Sequence, residues 1–373
     1  MNNYSVQISY QAEEPKWDTF VVHVPGGNHL QTSLWGQVKT FFGWSAARIV
    51  ISENEKIVAG AQLLIKSLPL IGSIAYVPKG PLFKSKEPEM RNHVIAALFN
   101  LIKKHRIAYI IIQPPIDDAE LSGQLLKNGF QKSKNSVAPT ATVILDLTSS
   151  LENILVQMRE STRKNIRASQ RRGLVVREGT ESDLNTFFNL LDKSGKRLKF
   201  KPESEKYFRA MWRILNPHGY INLHLAELNG NAITAQLTIS FGNTVTFKRV
   251  GWSGTHSKLH PNELIKWKAI KSAKERGFAF FDFEGIDRKE AEGLINGELQ
   301  QDEIKHKPSF FKIGFGGAVT LLPLAYDYIP NPAFRYAYTK IFPKITSSPT
   351  LAHAYKYARN LFTRRAAKSK KGA

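Results

Sequence analysis

Arginines spaced four residues apart form the first group in the chain whose pattern suggests chemistry. The set is Arg159, Arg163, Arg167 and Arg171, with Lys164 among them and a single acid, Glu160. On a helix this spacing puts one cation on each turn, whereas a solvated face normally mixes signs for pairing. The pattern predicts contact with phosphates, either of tRNA or of anionic membrane lipid. A face that only confers solubility is the alternative.

Two acids and two histidines are the next candidates. Asp282 and Glu284 lie two apart in FFDFEGID, so on a strand they would share a face, where they could take an amine proton or line a cleft; lining is favoured. His256 and His260 have the spacing of a helical zinc pair, but Pro261 favours an extended His260 and no third ligand is evident. We therefore predict no metal site.

The elements that would position these residues occur twice. A hairpin at 47–65, a strand at 71–77, a helix at 89–105 and a strand at 107–112 are followed by the same order at 223–239, 243–250, 262–276 and 278–283. The motif AQL recurs at 61–63 and 235–237. Matching motif and order predict an internal duplication.

This layout is typical of an N-acetyltransferase-like (GNAT-like) core, a mixed α/β (α+β) sheet that splays to form an acyl-donor cleft. Two copies in tandem would leave a groove between or along them. We predict a first domain at 1–148, a basic linking helix at 149–175, a second domain at 176–330 and a basic extension at 331–373. The linking helix is expected to run unbroken from a cap at Ser149 or Ser150 to Gly173.

The amino-acid composition limits the classes of partner and site that the protein could have. Of 373 residues, 53 are Lys or Arg and 31 are Asp or Glu, and the resulting charge of +22 implies a polyanionic partner. The absence of cysteine excludes disulfides, thiolate zinc sites and a cysteine nucleophile. No apolar run is long enough to span a membrane and no signal peptide is visible, so a cytoplasmic location is expected. The basic residues after 363 favour peripheral contact with the inner face of the plasma membrane.

Six phrases are informative when taken together: LQTSLWGQVK (30–39), PKGPLF (78–83), PTATVILDL (139–147), PNELIKWKAIKSAKERG (261–277), FFDFEGID (280–287) and SFFKIGFGGAVTLL (309–322). In their order and spacing they resemble the Fem family (FemA, FemB and FemX) of peptidoglycan aminoacyltransferases, from near residue 5 to near 330. Many members carry a coiled-coil arm, for which 200–220 is too short. The chain therefore resembles the armless, FemX-like members.

The resemblance implies transfer of glycine, alanine or serine from aminoacyl-tRNA to the stem-peptide amine of a peptidoglycan precursor, either UDP-MurNAc-pentapeptide or lipid II. The ester is already activated, so aminoacyl-tRNA is a co-substrate and no cofactor is expected. A monomer is expected, with the arginine-rich helix binding tRNA. Catalysis needs alignment of the substrates and stabilisation of an oxyanion rather than a protein nucleophile.

Site residues are implied by the same resemblance. Lys312 matches the lysine at the acyl-transfer centre, where Phe310 and Phe311 would exclude water. Lys39 and Arg197 match positions that contact the precursor diphosphate, with Lys196 and Lys199 as alternatives to Arg197. Gln113 stands where many members have an acid before proline, with Asp117 and Asp118 close behind. Gln113, Phe311 and Asp282 complete the predicted substrate site.

Two other functions are compatible with parts of the sequence. An acyl-CoA-dependent N-acyltransferase acting on a cell-surface sugar would share the fold, and GWSG at 251–254 lies where such enzymes bind pyrophosphate. The full Arg/Gln-x-x-Gly-x-Gly pattern is missing, which disfavours acyl-CoA. A non-catalytic nucleic-acid-binding protein would explain the charge but not the duplicated core.

Overall fold

The computed structural model describes residues 4–68, 72–85, 87–116 and 118–336. Asp117 and nearly all of the predicted extension at 331–373, including the basic residues after 363, lie outside these ranges. Within them, no helix is long and apolar enough to cross a bilayer.

The first half of the chain alternates short helices with the strands of one sheet. Its strands are β1 (Tyr4–Ser9), β2 (Ser45–Glu53), β3 (Lys56–Leu68), β4 (Gly72–Pro78), β5 (Leu82–Phe83), β6 (Ile107–Gln113) and β7 (Gln131–Lys132). Its helices are α1 (Pro15–His23), α2 (Ser33–Thr40), α3 (Pro88–Lys104) and α4 (Ala119–Lys127). The side chain of Thr32 caps α2 by accepting from the Trp35 backbone N–H, which fixes where that helix begins.

The second half repeats the plan with additional helices. Its strands are β8 (Ala141–Asp146), β9 (Val175–Glu178), β10 (Ile221–Leu228), β11 (Asn231–Phe241), β12 (Thr244–Trp252), β13 (Phe280–Asp282), β14 (Ala318–Leu321) and β15 (Tyr326–Tyr328). Its helices are α5 (Leu151–Gln157), α6 (Glu160–Arg171), α7 (Leu184–Leu198), α8 (Glu205–Leu215), α9 (Pro261–Glu275), α10 (Arg288–Asn296), α11 (Pro308–Ile313) and α12 (Pro332–Tyr336). No coiled-coil arm forms in the fully described segment between α7 and β10.

Pairing of the strands confirms the predicted repeat of elements. In the first sheet the hairpin β2–β3 is antiparallel and β4 runs parallel to β6; in the second, β10–β11 is antiparallel and β12 runs parallel to β13. The helix between each parallel pair, α3 or α9, covers one face of its sheet.

Two strands cross between the halves, and they correct the predicted domain boundaries. β8, placed in the first domain by the 1–148 boundary, lies between β13 and β14 in the second sheet. β15, assigned to 176–330, lies between β6 and β7 in the first sheet. Each sheet is therefore completed by a strand from the part of the chain that was predicted to form the other domain.

A hydrophobic cluster joins the two halves. Besides one core per sheet, a third cluster packs Leu34, Trp35 and Val38 of α2 against α7, α8 and the buried face of β10 and β11. Helix α2 thus packs against both domains. Side chains on its other faces border the space between the domains.

The predicted unbroken basic helix is wrong, because the chain forms two helices with a corner at Met158 and Arg159. Ser150 caps α5 as predicted, but Met158 is extended, with φ −70° and ψ 151°. Arg163 donates hydrogen bonds back to the carbonyl oxygens of Val156, at 2.9 Å, and of Met158. These bonds satisfy carbonyls that α5 leaves exposed at its C-terminus. The segment packs on α9, in the second domain.

Candidate active site

Two cavities meet in the cleft between the domains. The Lys39 cavity has a volume of about 330 Å³ and is walled by Trp35, Lys39, Tyr76 and Tyr207. The Lys312 cavity, of about 340 Å³, is walled by Arg197, Phe247, Trp252 and Lys312. Both are also lined by the same three charged residues, Lys248, Arg249 and Glu284. The two cavities are therefore adjacent parts of one cleft.

Glu284 connects the charges of this cleft. Its carboxylate lies 2.8 Å from Lys248 Nζ and 3.7 Å from the Arg249 guanidinium, and Arg249 also pairs with Glu203 through a 3.1 Å hydrogen bond. Glu284 has φ +44°, a left-handed conformation that is strained for a residue with a side chain. Strain held at one residue in a cleft is typical of functional sites.

The turn at Glu284 and Gly285 also positions Lys312. Lys312 Nζ, on the last turn of α11, donates to the backbone carbonyl oxygens of Glu284, at 2.6 Å, and of Gly285, at 2.5 Å. An ammonium group has three N–H donors. In the described part of the chain no acceptor binds the third, which leaves one donor for a ligand in the cavity.

Burial lowers the pKa of Lys312 to about 8, although the carboxylates of Glu284 and Asp282 oppose the shift. At pH 7 roughly nine-tenths of the side chain is still ammonium. The group can therefore supply a positive charge at neutral pH and loses it as the pH rises through 8.

Lys39 lies in a cage of aromatic rings. Its Nζ is 5.8 Å from the ring centroids of Trp35 and Tyr76 and 5.9 Å from that of Tyr207. Burial, with the neighbouring charge of Lys248, lowers the pKa of Lys39. Across the described ranges no hydrogen bond or ion pair holds this ammonium. It is a cation without a counter-ion, positioned by the rings around it.

Arg197 extends along Trp252 at the rim of the Lys312 cavity. Its Cζ lies 4.5 Å from the indole centroid, and its Nη1 donates to the Trp252 carbonyl at 3.2 Å. Of the alternatives, Lys196 is paired with Asp192 on the exposed face of α7, and Lys199 adopts a left-handed conformation as it ends that helix. Arg197 is therefore the member of this group that lines the cleft.

Comparison with known proteins tests the resemblance to the Fem family. A FemAB family model matches residues 12–133, and a model described as an acetyltransferase (GNAT) domain matches 157–291. The lipid II:glycine glycyltransferase of Staphylococcus epidermidis is 26% identical, over 89% of this chain and 95% of that protein. The resemblance to the Fem family is confirmed.

Three further comparisons concern the length of chain that is matched and the fold. The Staphylococcus saprophyticus lipid II:glycine glycyltransferase is also 26% identical, but the match covers 59% of this chain and only 56% of that relative. A crystal structure of FemX superimposes with a TM-score of 0.78 at 20% identity, over 90% of this chain and 99% of that one. A tandem GNAT protein from clavulanic acid biosynthesis gives 0.53 at 12%, covering 88% and 99%. The predicted tandem acetyltransferase-like fold is confirmed.

Gln113, predicted to bind substrate, joins two segments of the chain through hydrogen bonds. It is fully buried; its amide oxygen accepts from Val137 N at 3.0 Å and Ala138 N at 2.8 Å, and its amide nitrogen donates to the Pro139 and Pro323 carbonyls at 3.2 and 3.1 Å. All four hydrogen-bonding positions of the amide are used. These partners lie on the segments that lead to β8 and β15. From the second domain, Arg288 donates to Thr140 O and Leu322 O on the same two segments, each at 2.8 Å.

Replacing Gln113 by Ala is therefore expected to destabilise the protein rather than to weaken substrate binding. The change removes the partner of the buried Ala138 N–H, of the half-buried Val137 N–H and of two carbonyls, so the free energy of unfolding should fall by roughly 2–4 kcal/mol. Thermal denaturation measures the effect, with Gln7→Ala on the exposed face of β1 as the control. A raised KM for the precursor at unchanged melting temperature would restore the original prediction.

Asp282 and Phe311 are also absent from the linings of the two cavities. Asp282 accepts from the Thr142 hydroxyl and, at 2.8 Å, from the Glu284 backbone N–H, and burial raises its pKa. It therefore supports the turn that carries Glu284. Phe311 is half-buried and packs edge-on against Phe315, 5.3 Å between centroids, beside the core of the second domain. Direct contact of Asp282 and Phe311 with substrate remains a prediction.

The basic residues divide into two groups. Arg159 stacks on Phe310, with Cζ 3.5 Å from the centroid, and donates to Gln301 at 3.0 Å, while Arg163 caps α5, so both hold the fold. Lys164 is exposed and pairs with Glu160 at 2.7 Å. Arg167 and Arg171 are exposed and contact no acceptor among the described residues. Only the distal part of the predicted face is therefore available to a polyanion.

Lys248 and Arg249 were not predicted as site residues. Adjacent residues on a regular strand point to opposite faces, but a bulge in β12 opposite Leu237 and Thr238 makes Lys248 an extra residue, so that both side chains border the cleft. Two consecutive cations in a strand were the only available signal.

Proposed function

We propose that this chain transfers an amino acid from aminoacyl-tRNA to the stem-peptide amine of a peptidoglycan precursor, as a step in cross-bridge synthesis. The observation that carries the proposal is the junction of two cavities at Glu284, one containing a held ammonium and the other a cation without a counter-ion. A two-substrate transfer needs a place for each substrate and a shared point for reaction. The names of two relatives, both lipid II:glycine glycyltransferases, support amino-acid transfer to a peptidoglycan precursor.

At the shared point, the precursor amine attacks the ester carbonyl carbon, and the bond from that carbon to the tRNA 3′ oxygen breaks. The proton lost by the amine ends on the leaving oxygen. The free N–H of Lys312 would donate to the oxyanion of the tetrahedral intermediate. The low polarity of the cavity would strengthen the attraction between the ammonium and this oxyanion. The ester is already activated, so the proposed reaction requires no cofactor.

The precursor's diphosphate fits the cationic side of the cleft. Lys39, Lys248 and Arg249 line the Lys39 cavity, against the single lining carboxylate of Glu284. Arg197 adds a planar guanidinium at the far end of the cleft, which suits phosphate oxygens. We assign the acceptor to the Lys39 cavity, and we place the enzyme in the cytoplasm as a monomer, with peripheral membrane contact when that acceptor is lipid-linked.

Helix α6 offers a track for the donor tRNA. Its first turn is joined to the Lys312 segment by the Arg159 N–H, which donates to the Gly314 carbonyl at 2.9 Å. Arg171 lies roughly 18 Å further along the helix axis. Lys164, Arg167 and Arg171 could therefore contact the tRNA backbone while its 3′ end enters the Lys312 cavity.

Replacing Arg167 and Arg171 together by Ala is expected to weaken tRNA binding about tenfold or more at low salt. The slope of log K against log salt concentration should also fall by the amount that corresponds to about two phosphate contacts. Filter binding across a salt series measures both effects. The double variant Lys103→Ala/Lys127→Ala removes two exposed cations from other helices and serves as the control. An equal loss of tRNA affinity in the two double variants would mean that binding responds only to net charge. That result would contradict the proposal that α6 binds tRNA.

Transfer of radiolabelled amino acids from charged tRNA to nucleotide-linked and lipid-linked muramyl pentapeptides tests the proposal directly. Label on either acceptor supports it and names donor and acceptor together. Absence of transfer, combined with binding of acyl-CoA, would instead favour the acyl-CoA-dependent N-acyltransferase.

A further inference from the structure

A third cavity lies on the other side of helix α2 from Lys39. Trp35 and Lys39, four residues apart, line the Lys39 cavity, whereas Leu34, Gln37 and Phe41 line a larger space of about 640 Å³. We refer to this space as the α2 cavity. Its remaining walls come from residues 10–13, from 44–46 and from residues 213–218 of the second domain. Its volume falls within the range of about 300–1,000 Å³ typical of small-molecule sites.

The charges of the two cavities differ. The Lys39 cavity has three Lys or Arg side chains and one carboxylate in its lining, whereas the α2 cavity has one arginine, Arg213, and one carboxylate, Glu13. Phe41, Trp44 and Ile214 contribute apolar surface to the α2 cavity. An uncharged, apolar occupant therefore fits this cavity, and a phosphate fits its neighbour.

One aromatic pair and a short turn separate the two cavities. Trp44, in the α2 cavity, packs edge-on against Tyr76, in the Lys39 cavity, with 4.8 Å between ring centroids. Gly43, with φ +74°, turns the chain sharply between α2 and Trp44. A ligand with its charged group beside Lys39 could pass over this short turn and lay an apolar tail on Phe41 and Trp44.

We propose that the α2 cavity binds the first isoprene units of a polyprenyl diphosphate-linked acceptor, whose diphosphate lies at Lys39. This assignment rests on the proposed function, which leaves open whether the acceptor is nucleotide-linked or lipid-linked. Charge complementarity and continuity along α2 favour the lipid-linked form. An acceptor ending in uridine would place a polar group against these apolar walls.

Photolabelling tests the cavity without relying on activity. The probe is farnesyl diphosphate that carries a benzophenone at the end of its chain, used with the full-length protein. We expect labelling within 10–13, 40–46 and 213–218 that excess farnesol prevents and excess uridine does not; neither competitor carries the diphosphate that would compete at Lys39. Labelling elsewhere, no labelling, or equal protection by uridine would overturn the proposal; the last result would assign the cavity to a nucleoside.

Kinetics with the two acceptors give the second test. Ala12→Trp and Ile214→Trp fill the cavity from its two domains, and Ala119→Trp places the same side chain on exposed α4 as a control. Filling should raise KM for the lipid-linked acceptor about tenfold and leave KM for the nucleotide-linked acceptor unchanged. Equal changes for both acceptors, or none, would refute the assignment. If the unaltered protein transfers to neither acceptor, the proposed function fails while the photolabelling result still decides what the cavity binds.

Discussion

Replacing Lys312 by Met should lower kcat for aminoacyl transfer by roughly 10²–10³-fold. Met preserves length and apolar volume but removes the N–H that remains after the Glu284 and Gly285 carbonyls are satisfied. Because the lysine is desolvated in the native state, the melting temperature should not fall in parallel with the rate. Single-turnover transfer from a charged tRNA, measured beside thermal denaturation, separates the two quantities.

The control for this change is Lys305→Met, which removes an exposed lysine seven residues earlier. Its rate should equal that of the unaltered protein. The pH dependence gives independent evidence: with the pKa of Lys312 at about 8, kcat should decline as the pH rises through 8. A variant with Met at 312 that kept more than a tenth of the rate would exclude the ammonium as the main stabilising group.

Replacing Glu284 by Gln should move this alkaline decline to lower pH. The Glu284 carboxylate is the largest of the influences that raise the pKa of Lys312, so its removal lowers that pKa and depletes the ammonium form near pH 8. We expect about a fivefold loss of kcat at pH 8, the result of a pKa lowered by about one unit, and a smaller loss at pH 6.5, where most of Lys312 stays protonated. A pH–rate profile from 6 to 9.5 measures the displacement.

Glu203→Gln is the matched control for Glu284→Gln. Glu203 also pairs with Arg249, but it is not among the charges that influence Lys312. Its replacement should change KM for the precursor through Arg249 and leave the alkaline decline in place. Identical profiles for both variants would show that Glu284 acts only by holding Arg249 and Lys248.

The sequence predicts the local elements well and the long-range pairings poorly. The hairpin at 47–65 appears as β2 and β3 because alternating apolar runs around a polar turn specify it locally. The exchange of β8 and β15 has no such signal, since a short apolar strand fits any open sheet edge of suitable register. The corner at Met158 lies in a sequence without Gly or Pro, and it depends on contacts from Arg163 and Arg159 with distant carbonyls and rings.

The same distinction applies to the candidate site. Lys39, Arg197 and Lys312 are each identified by resemblance to Fem motifs, and the structure places all three in one cleft. Gln113 shows the opposite outcome, because a polar residue at a strand end can face a ligand or a crossing segment, and only the tertiary structure decides which. The role of Glu284 depends on a left-handed turn that its side chain does not favour, so residue type alone could not reveal it.

The exchanged strands limit how the cleft can move. Each sheet contains a strand whose covalent neighbours lead into the other sheet, and both connections are hydrogen-bonded to Gln113 on one side and Arg288 on the other. A hinge that separated the halves would have to break strand pairs as well as these side-chain bonds. Substrates of this enzyme should therefore enter and leave by sliding through the open ends of a cleft of nearly constant width, and turnover should not require the domains to open and close.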